Sequence, residues 1–277
     1  MRKLSNGTFL LEGATNVGVY VSDVVYLIDT GGSRKNLRQV MEEFEGREII
    51  VLNTHHHADH IALNGWLQKK TSCRIHAPAG EISMISQPLL EGALLFGAYP
   101  PRSLRSSFFR ADPSKVEPLP EDLPLEVVPL PGHTISHTGY LTPGGVLFSG
   151  DLFFSKEIVQ KYFYPYHQSI SLLRETLKSL EEIEFRIVVP SHGKPTSDPS
   201  TDISFMMERV EEIEDRAIRA LESGDTCDSL TIKLSDVFDL KLEGGFWHLF
   251  RSFVCSILED LEEMERVREE SGKWFKE

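Results

Sequence analysis

Thr54-His55-His56-His57-Ala58-Asp59-His60 follows directly on the apolar run Ile49-Ile50-Val51-Leu52 and packs four imidazoles and a carboxylate into seven residues. Side chains on an extended segment alternate with a period of two, so His55 and His57 share one side and His56 points away as a packed or hydrogen-bonded support. Asp59 and His60 fall at the start of the helix expected next, where they face a second ion. Neutral imidazoles suit zinc, copper, iron or nickel, and an added carboxylate suits zinc, iron or manganese with a position left open for water. The other reading is a histidine-rich surface tract that chelates metal by accident.

Partners elsewhere in the chain decide between the two. His133 follows the apolar run Leu125 to Leu130, Asp151 follows Val146-Leu147-Phe148-Ser149-Gly150, and His192 follows Ile187-Val188-Val189-Pro190-Ser191. Each sits where a β-strand is expected to end, and ligands of layered α/β proteins gather at strand ends.

The order His-x-His-x-Asp-His, Gly-His-Thr, Gly-Asp, Ser-His-Gly over residues 55 to 192 resembles the metallo-β-lactamase superfamily of hydrolases, and the likeness covers about the first 200 residues. It implies an α/β fold, a four-layer αββα sandwich. It also implies that His55, His57 and His133 hold one metal, that Asp59, His60 and His192 hold another, and that Asp151 bridges both. Asp59 and Asp151 are then the catalytic carboxylates, placing the water used for attack. The cofactors implied are two divalent ions, zinc first, with iron or manganese as alternatives. The run His55-His56-His57 is similar to that of the glyoxalase II branch, although Ala58 stands where that branch usually has an aromatic residue. The activity implied is cleavage of a small ester, thioester or lactone-like substrate by a metal-bridged hydroxide. Alternatives are a phosphodiesterase or nuclease of the same superfamily, a mononuclear iron dioxygenase acting on thiol-derived substrates, and a non-catalytic metal-binding scaffold. The full ligand set favours two metals and hydrolysis.

A chain of 277 residues, 40% hydrophobic, has ample material for a packed core, and a net charge of −13 disfavours long nucleic acids as partners. A small-molecule substrate is the expected partner. Cys73, Cys227 and Cys255 are far apart and odd in number, so no disulfide framework is expected and a reducing cytoplasm fits best. No segment has the roughly 20 apolar residues that a membrane span requires.

Three β-rich runs, Thr8 to Leu11, Val17 to Val21 and Val24 to Ile28, predict an antiparallel opening. A helix capped by Ser33 follows and returns the chain to the strand at Ile49. The same strand, helix, strand order from Val127 to Val189 predicts a second, similar half. Residues 87–115 mix apolar side chains with Arg102, Arg105 and Arg110. They read either as a substrate lid or as an ordinary helix and loop on the core.

Residues 1–200 are taken as the catalytic domain and 201–277 as a helical appendage. Its expected parts are a helix along Ile203 to Leu221 ended by Gly224, helices over Ser229 to Phe238 and Phe246 to Glu263, and a hairpin over Val267 to Phe275, together winged-helix-like. Glu259, Asp260, Glu262, Glu263 and Glu265 argue against DNA reading. The surplus of apolar residues between Phe246 and Leu258 is expected to cover the pocket edge or a second subunit, giving a homodimer through the C-terminal helices.

Overall fold

The computed structural model describes residues 1–222 and 224–277. Seven strands pair in chain order into one sheet: β1 (Arg2–Ser5), β2 (Thr8–Leu11), β3 (Val17–Val21), β4 (Val25–Ile28), β5 (Ile49–Leu52), β6 (Arg74–Ala77) and β7 (Glu117–Pro118). The first four are antiparallel, and the pairings from β4 to β7 are parallel. β1 is not among the expected strands, because Arg2, Lys3 and Ser5 give an edge strand no apolar alternation. A second sheet holds β8 (Glu126–Pro129), β9 (Thr138–Leu141), β10 (Val146–Gly150) and β11 (Ile187–Pro190) in the order β11-β10-β9-β8.

The strand sequences explain why the sheets stack. In β4 and β5, Tyr26, Ile28, Ile50 and Leu52 meet Tyr140, Val146, Phe148 and Val189 of the second sheet in one buried cluster. Their neighbours Leu27, Ile49 and Val51 turn the other way, onto Leu37 and Val40 of α1 (Arg34–Glu43) and onto Leu67. A strand covered on both faces reads as a continuous apolar run, which is how Ile49 to Leu52 reads. Leu147 and Val188 face outward from the second sheet against helices. The result is four layers, helix, sheet, sheet and helix.

The first half also carries α2 (Ala58–Ile61), α3 (Asn64–Thr71), α4 (Ile82–Ser86) and α5 (Leu89–Phe96); the second carries α6 (Lys156–Tyr162) and α7 (Ile170–Leu180). Ser33 caps α1 by accepting from the Asn36 amide, as expected, and Ser169 caps α7 by accepting from the Leu172 amide. Residues 87–115 form α5 followed by a short 3₁₀ turn at Arg102–Arg105.

After β11 come α8 (Ser200–Ala220), α9 (Cys227–Val237), α10 (Gly245–Glu263) and the hairpin β12 (Val267–Glu270) and β13 (Lys273–Lys276). Gly224 does not end α8. The helix stops at Ala220 because Leu221 turns extended, with ψ 121°, and Gly224 serves the following turn at φ 86°. Phe250, Phe253, Val254, Ile257 and Leu258 of α10 are fully buried within the one chain, alongside Leu173, Val210, Ile213 and Leu230. Wrapping of α10 by α7, α8 and α9 accounts for apolar residues that exceed a single helical face. Phe246 remains exposed.

The expectation of a disulfide-free chain is corrected: Cys227 at the start of α9 and Cys255 in mid-α10 are disulfide-bonded, with Cα atoms 5.9 Å apart. The two are 28 residues apart in sequence, and it is the packing of two helices that brings them together. Cys73 is free and buried. Among the described residues, no helix is long and apolar enough to cross a membrane.

One charged cluster lies inside the helical layer. Arg174 of α7 donates to Asp260 of α10 at 2.9 Å and to Glu214 of α8 at 2.7 Å, and both carboxylates are buried. Burial, together with the hydrogen bond and charge of Asp260, outweighs Arg174 and pushes Glu214 up to about 7. A carboxyl raised in the folded state binds its proton more tightly than in the unfolded chain, where it titrates near 4.3. The stabilisation it brings is therefore present at acid pH and is lost as pH rises through about 7. In urea unfolding of metal-free protein, Glu214→Gln should gain on the wild type between pH 5 and pH 8. A gap that stays constant or moves the other way contradicts this assignment.

Candidate metal centre

β5 delivers the chain to Asn53, and the segment stays extended to His57 (φ −62°, ψ 144°), the residue that caps α2. Alternation then works as expected. His55 and His57 turn together into the cleft between the sheets, while His56 turns the other way. Nε2 of His55 lies 3.1 Å from Nδ1 of His57, which lies 2.8 Å from Nε2 of His133. Burial, reinforced by neighbouring imidazoles, holds His55 and His133 well below the usual histidine range and brings His57 down to about 4. At neutral pH these rings are uncharged, with lone pairs converging on one point.

Beside them is a second group. Oδ2 of Asp59 is 3.0 Å from Nε2 of His192 and 3.8 Å from Nε2 of His60. Asp151 joins the two groups: Oδ1 is 3.2 Å from His60 Nε2, and Oδ2 is 3.4 Å from both His133 Nε2 and His192 Nε2. Despite burial, the surrounding carboxylates raise His60 far above its usual range and His192 to about 10, while the histidines hold Asp59 and Asp151 below the carboxylate range. The carboxylates thus demand positive charge at this spot. Among the described residues, His60 Nε2 and Asp151 Oδ1 are buried side-chain atoms of this group with no hydrogen-bond partner.

All seven residues expected as ligands, His55, His57, Asp59, His60, His133, Asp151 and His192, are brought together. They fall into cation-sized sets: His55, His57 and His133; Asp59, His60 and His192; and His55, His60 and Asp151. Unpartnered buried donors, uncharged imidazoles and ionised carboxylates form a donor set that fits divalent metal.

For four of the five rings, the far side explains why the near side is bare. His133 Nδ1 donates to the Tyr166 carbonyl at 2.8 Å and His192 Nδ1 to the Ala14 carbonyl at 2.7 Å. His60 Nδ1 meets Oδ2 of Asp29 at 2.7 Å, and His55 Nδ1 meets the Thr54 hydroxyl at 3.0 Å. An acceptor at Nδ1 fixes the proton there and turns the Nε2 lone pair into the site. The Thr54 hydroxyl in turn donates to Asp29 Oδ2 at 2.8 Å, and the Thr54 amide donates to Asp29 Oδ1 at 2.9 Å. Asp29, at φ 61° just past β4, therefore anchors the His-rich loop by backbone and side chain together. Thr15 donates to Asp59 Oδ2 at 2.8 Å.

The remaining histidines are not among the converging ligands. His137 Nδ1 donates to the Leu130 carbonyl at 2.9 Å and Nε2 accepts from the Asp151 amide at 3.1 Å. A Cβ at position 150 would collide with that ring, and φ there is +56°, so glycine is required before Asp151. His167 is fully buried, bonded to the Pro165 and Leu152 carbonyls and packed edge-on to His133. His76 bonds the Pro118 carbonyl, and His248 packs against Phe96. His56 is held between Glu81 and Glu91; hydrogen bonds to these carboxylates outweigh burial and raise it to about 10. Sequence reasoning missed Asp29, Glu81 and Glu91. Asp29 had a signal, a carboxylate at the end of the apolar run Val25 to Ile28, whereas the glutamates had none.

Residues 10–192 match the family model of the metallo-beta-lactamase superfamily, and the chain belongs to that family. It is a metallohydrolase of that superfamily. It is 27% identical over 174 residues, 62% of this chain and 81% of the relative, to hydroxyacylglutathione hydrolase GloC of Haemophilus influenzae. It is also 34% identical over 105 residues, 38% of this chain, to a hydroxyacylglutathione hydrolase of Thiobacillus denitrificans, of whose length it spans 32%. Among solved structures, a metallo-beta-lactamase family protein from Thermus thermophilus superposes with a TM-score of 0.70 at 20% identity, covering 98% of this chain and 99% of the other. A beta-lactamase domain protein from Burkholderia ambifaria gives 0.67 at 18% identity, covering 99% and 93%. The likeness in fold thus extends through the C-terminal helices.

Proposed function

We propose that this chain is a two-metal hydrolase of small thioesters, with esters and lactones as the neighbouring substrate class and zinc as the metal that its imidazole-rich donors suit first. The observation that carries the reading is Asp151, whose two carboxylate oxygens stand between the His55, His57, His133 group and the Asp59, His60, His192 group. When bound, a pair of divalent ions supplies Lewis acidity toward a carbonyl and acidifies water at neutral pH. The residues do the placing. His55, His57 and His133 would hold one ion and Asp59, His60 and His192 the other. The side chain of Asp59 is half exposed, unlike that of Asp151, so its carboxylate, steadied at Oδ2 by Thr15, would also orient water at the mouth of the site. The names of the two curated relatives, both hydroxyacylglutathione hydrolases, support a thioester.

Zinc-loaded protein should be offered S-acylglutathiones, lactones, β-lactams and phosphodiesters. Turnover of thioesters with kcat/KM of about 10⁴ M⁻¹ s⁻¹ or more is expected, within the ordinary range of enzymes. Faster cleavage of the phosphodiesters would replace this reading with that of a phosphodiesterase.

A further inference from the structure

His57 differs from the other histidines of the centre in the nitrogen it presents. His55 and His133 aim Nε2 inward and bind their Nδ1 to an oxygen, whereas His57 aims Nδ1 inward. Its proton must then sit on Nε2, which is buried and, among the described residues, has no hydrogen-bond partner. Facing Nε2 is Oε1 of Glu91, at 3.7 Å. Glu91 belongs to α5, is 5% exposed, and its other oxygen accepts from His56 Nε2 at 2.7 Å. His56 Nδ1 is bound by Glu81, whose Oε1 accepts from the Thr134 hydroxyl at 2.6 Å, one residue beyond His133. The carboxylate of Glu91 is thus held in place from behind, with one oxygen left for one orphaned donor.

Resting on the reading of His57 as a metal ligand, we propose that Glu91 is the positioning residue of that ligand. Its Oε1 accepts the Nε2 proton of His57, fixes the tautomer that bares Nδ1, and so ties α5 to one half of the metal centre. A movement of less than about 1 Å brings the pair to hydrogen-bond length. A carboxylate behind a ligating imidazole raises the basicity of the ligand and holds its ring angle. Glu81 belongs to the same buried chain of side chains but, among the described residues, its carboxylate bonds only His56 and Thr134. It separates direct positioning from general support of the loop.

Metal-free wild type, Glu91→Gln and Glu81→Gln should be titrated with zinc against a chromogenic chelator, a readout that needs no substrate. Glu91→Gln is expected to weaken one of two zinc sites by about 10- to 100-fold, the usual cost of losing such a partner, and to leave the other unchanged. Glu81→Gln should cost that site clearly less than Glu91→Gln does and leave the other unchanged. Unaltered zinc affinity in Glu91→Gln overturns the proposal, and so does an equal loss in Glu81→Gln. Should Glu91→Gln fail to fold, nitrogen-15 NMR of histidines in the zinc-loaded wild type decides instead. A protected proton on His57 Nε2 supports the proposal, and an unprotonated Nε2 refutes it. If the wild type holds one zinc only, the two-metal reading fails, yet the effect of Glu91→Gln on that ion still tests the role of Glu91.

Discussion

Asp151→Ala is expected to reduce bound metal from two ions per chain to about one or fewer and to lower kcat/KM by on the order of 10³ or more. The size of the effect follows from position. Asp151 is 4% exposed and its two oxygens contact His60, His133 and His192, so its removal unbalances both groups at once. Its backbone amide is separately held by His137 Nε2 at 3.1 Å, and that bond survives truncation of the side chain. The fold should therefore persist. Metal analysis after gel filtration, with circular dichroism as the control, checks the expectation. Retention of two tightly bound ions in the variant would contradict it.

Truncation after Ser200 should have the largest effect on stability. Met206, Val210, Ile213, Phe250, Phe253 and Ile257 are fully buried in the same cluster as Leu147, Leu173 and Val188, which come from the second sheet and its helix. Each fully buried side chain of this size contributes about 1.5–3 kcal/mol, and a fold with a total stability of roughly 5–15 kcal/mol cannot lose several. The C-terminal helices also brace the metal centre from behind. Glu259 accepts from Ser171 at 2.6 Å and from Ser169, the cap of α7, at 3.2 Å. The Ser169 amide donates to the carbonyl of Gly132, the residue before His133, and Ser252 sits 3.4 Å from the Tyr166 hydroxyl. Shortened protein should aggregate or fail to accumulate as a folded species. A soluble, cooperatively unfolding, zinc-binding fragment of residues 1–200 would show that the C-terminal helices are dispensable.

The parts of this molecule that are legible in the sequence are local ones. His55 and His57 can be placed on one side and His56 on the other because alternation is a property of the backbone itself. Ligands at the ends of apolar runs can be recognised because a strand and its loop are contiguous in the chain. The helices of the last third follow from apolar spacing, and the hairpin from Ser271 and Gly272, both of which sit at positive φ in the turn.

The rest depends on contacts between distant segments. Asp29 lies beside Thr54 only because β4 and β5 pair in parallel, with Ile28 opposite Leu52. Glu81 and Glu91 look like ordinary helix-surface glutamates until α4 and α5 fold over His56. Cys227 and Cys255 carry no spacing signal, since their separation reflects two helices and a connection rather than a motif. The trio of Arg174, Glu214 and Asp260 comes from three different helices, and each member alone reads as a solvated charge. The end of α8 differs from expectation for a related reason: glycine is the usual stop signal, but here the chain leaves the helix at Leu221, whose side chain is buried in the core cluster.

The most direct test of the account is to titrate metal-free protein with zinc while following hydrolysis of an S-acylglutathione. Activity should rise until about two equivalents are bound and then level off, with the Asp151→Ala variant silent throughout. Full activity reached at one equivalent, or thioester hydrolysis that persists in the metal-free protein, would contradict a two-metal centre built on Asp151.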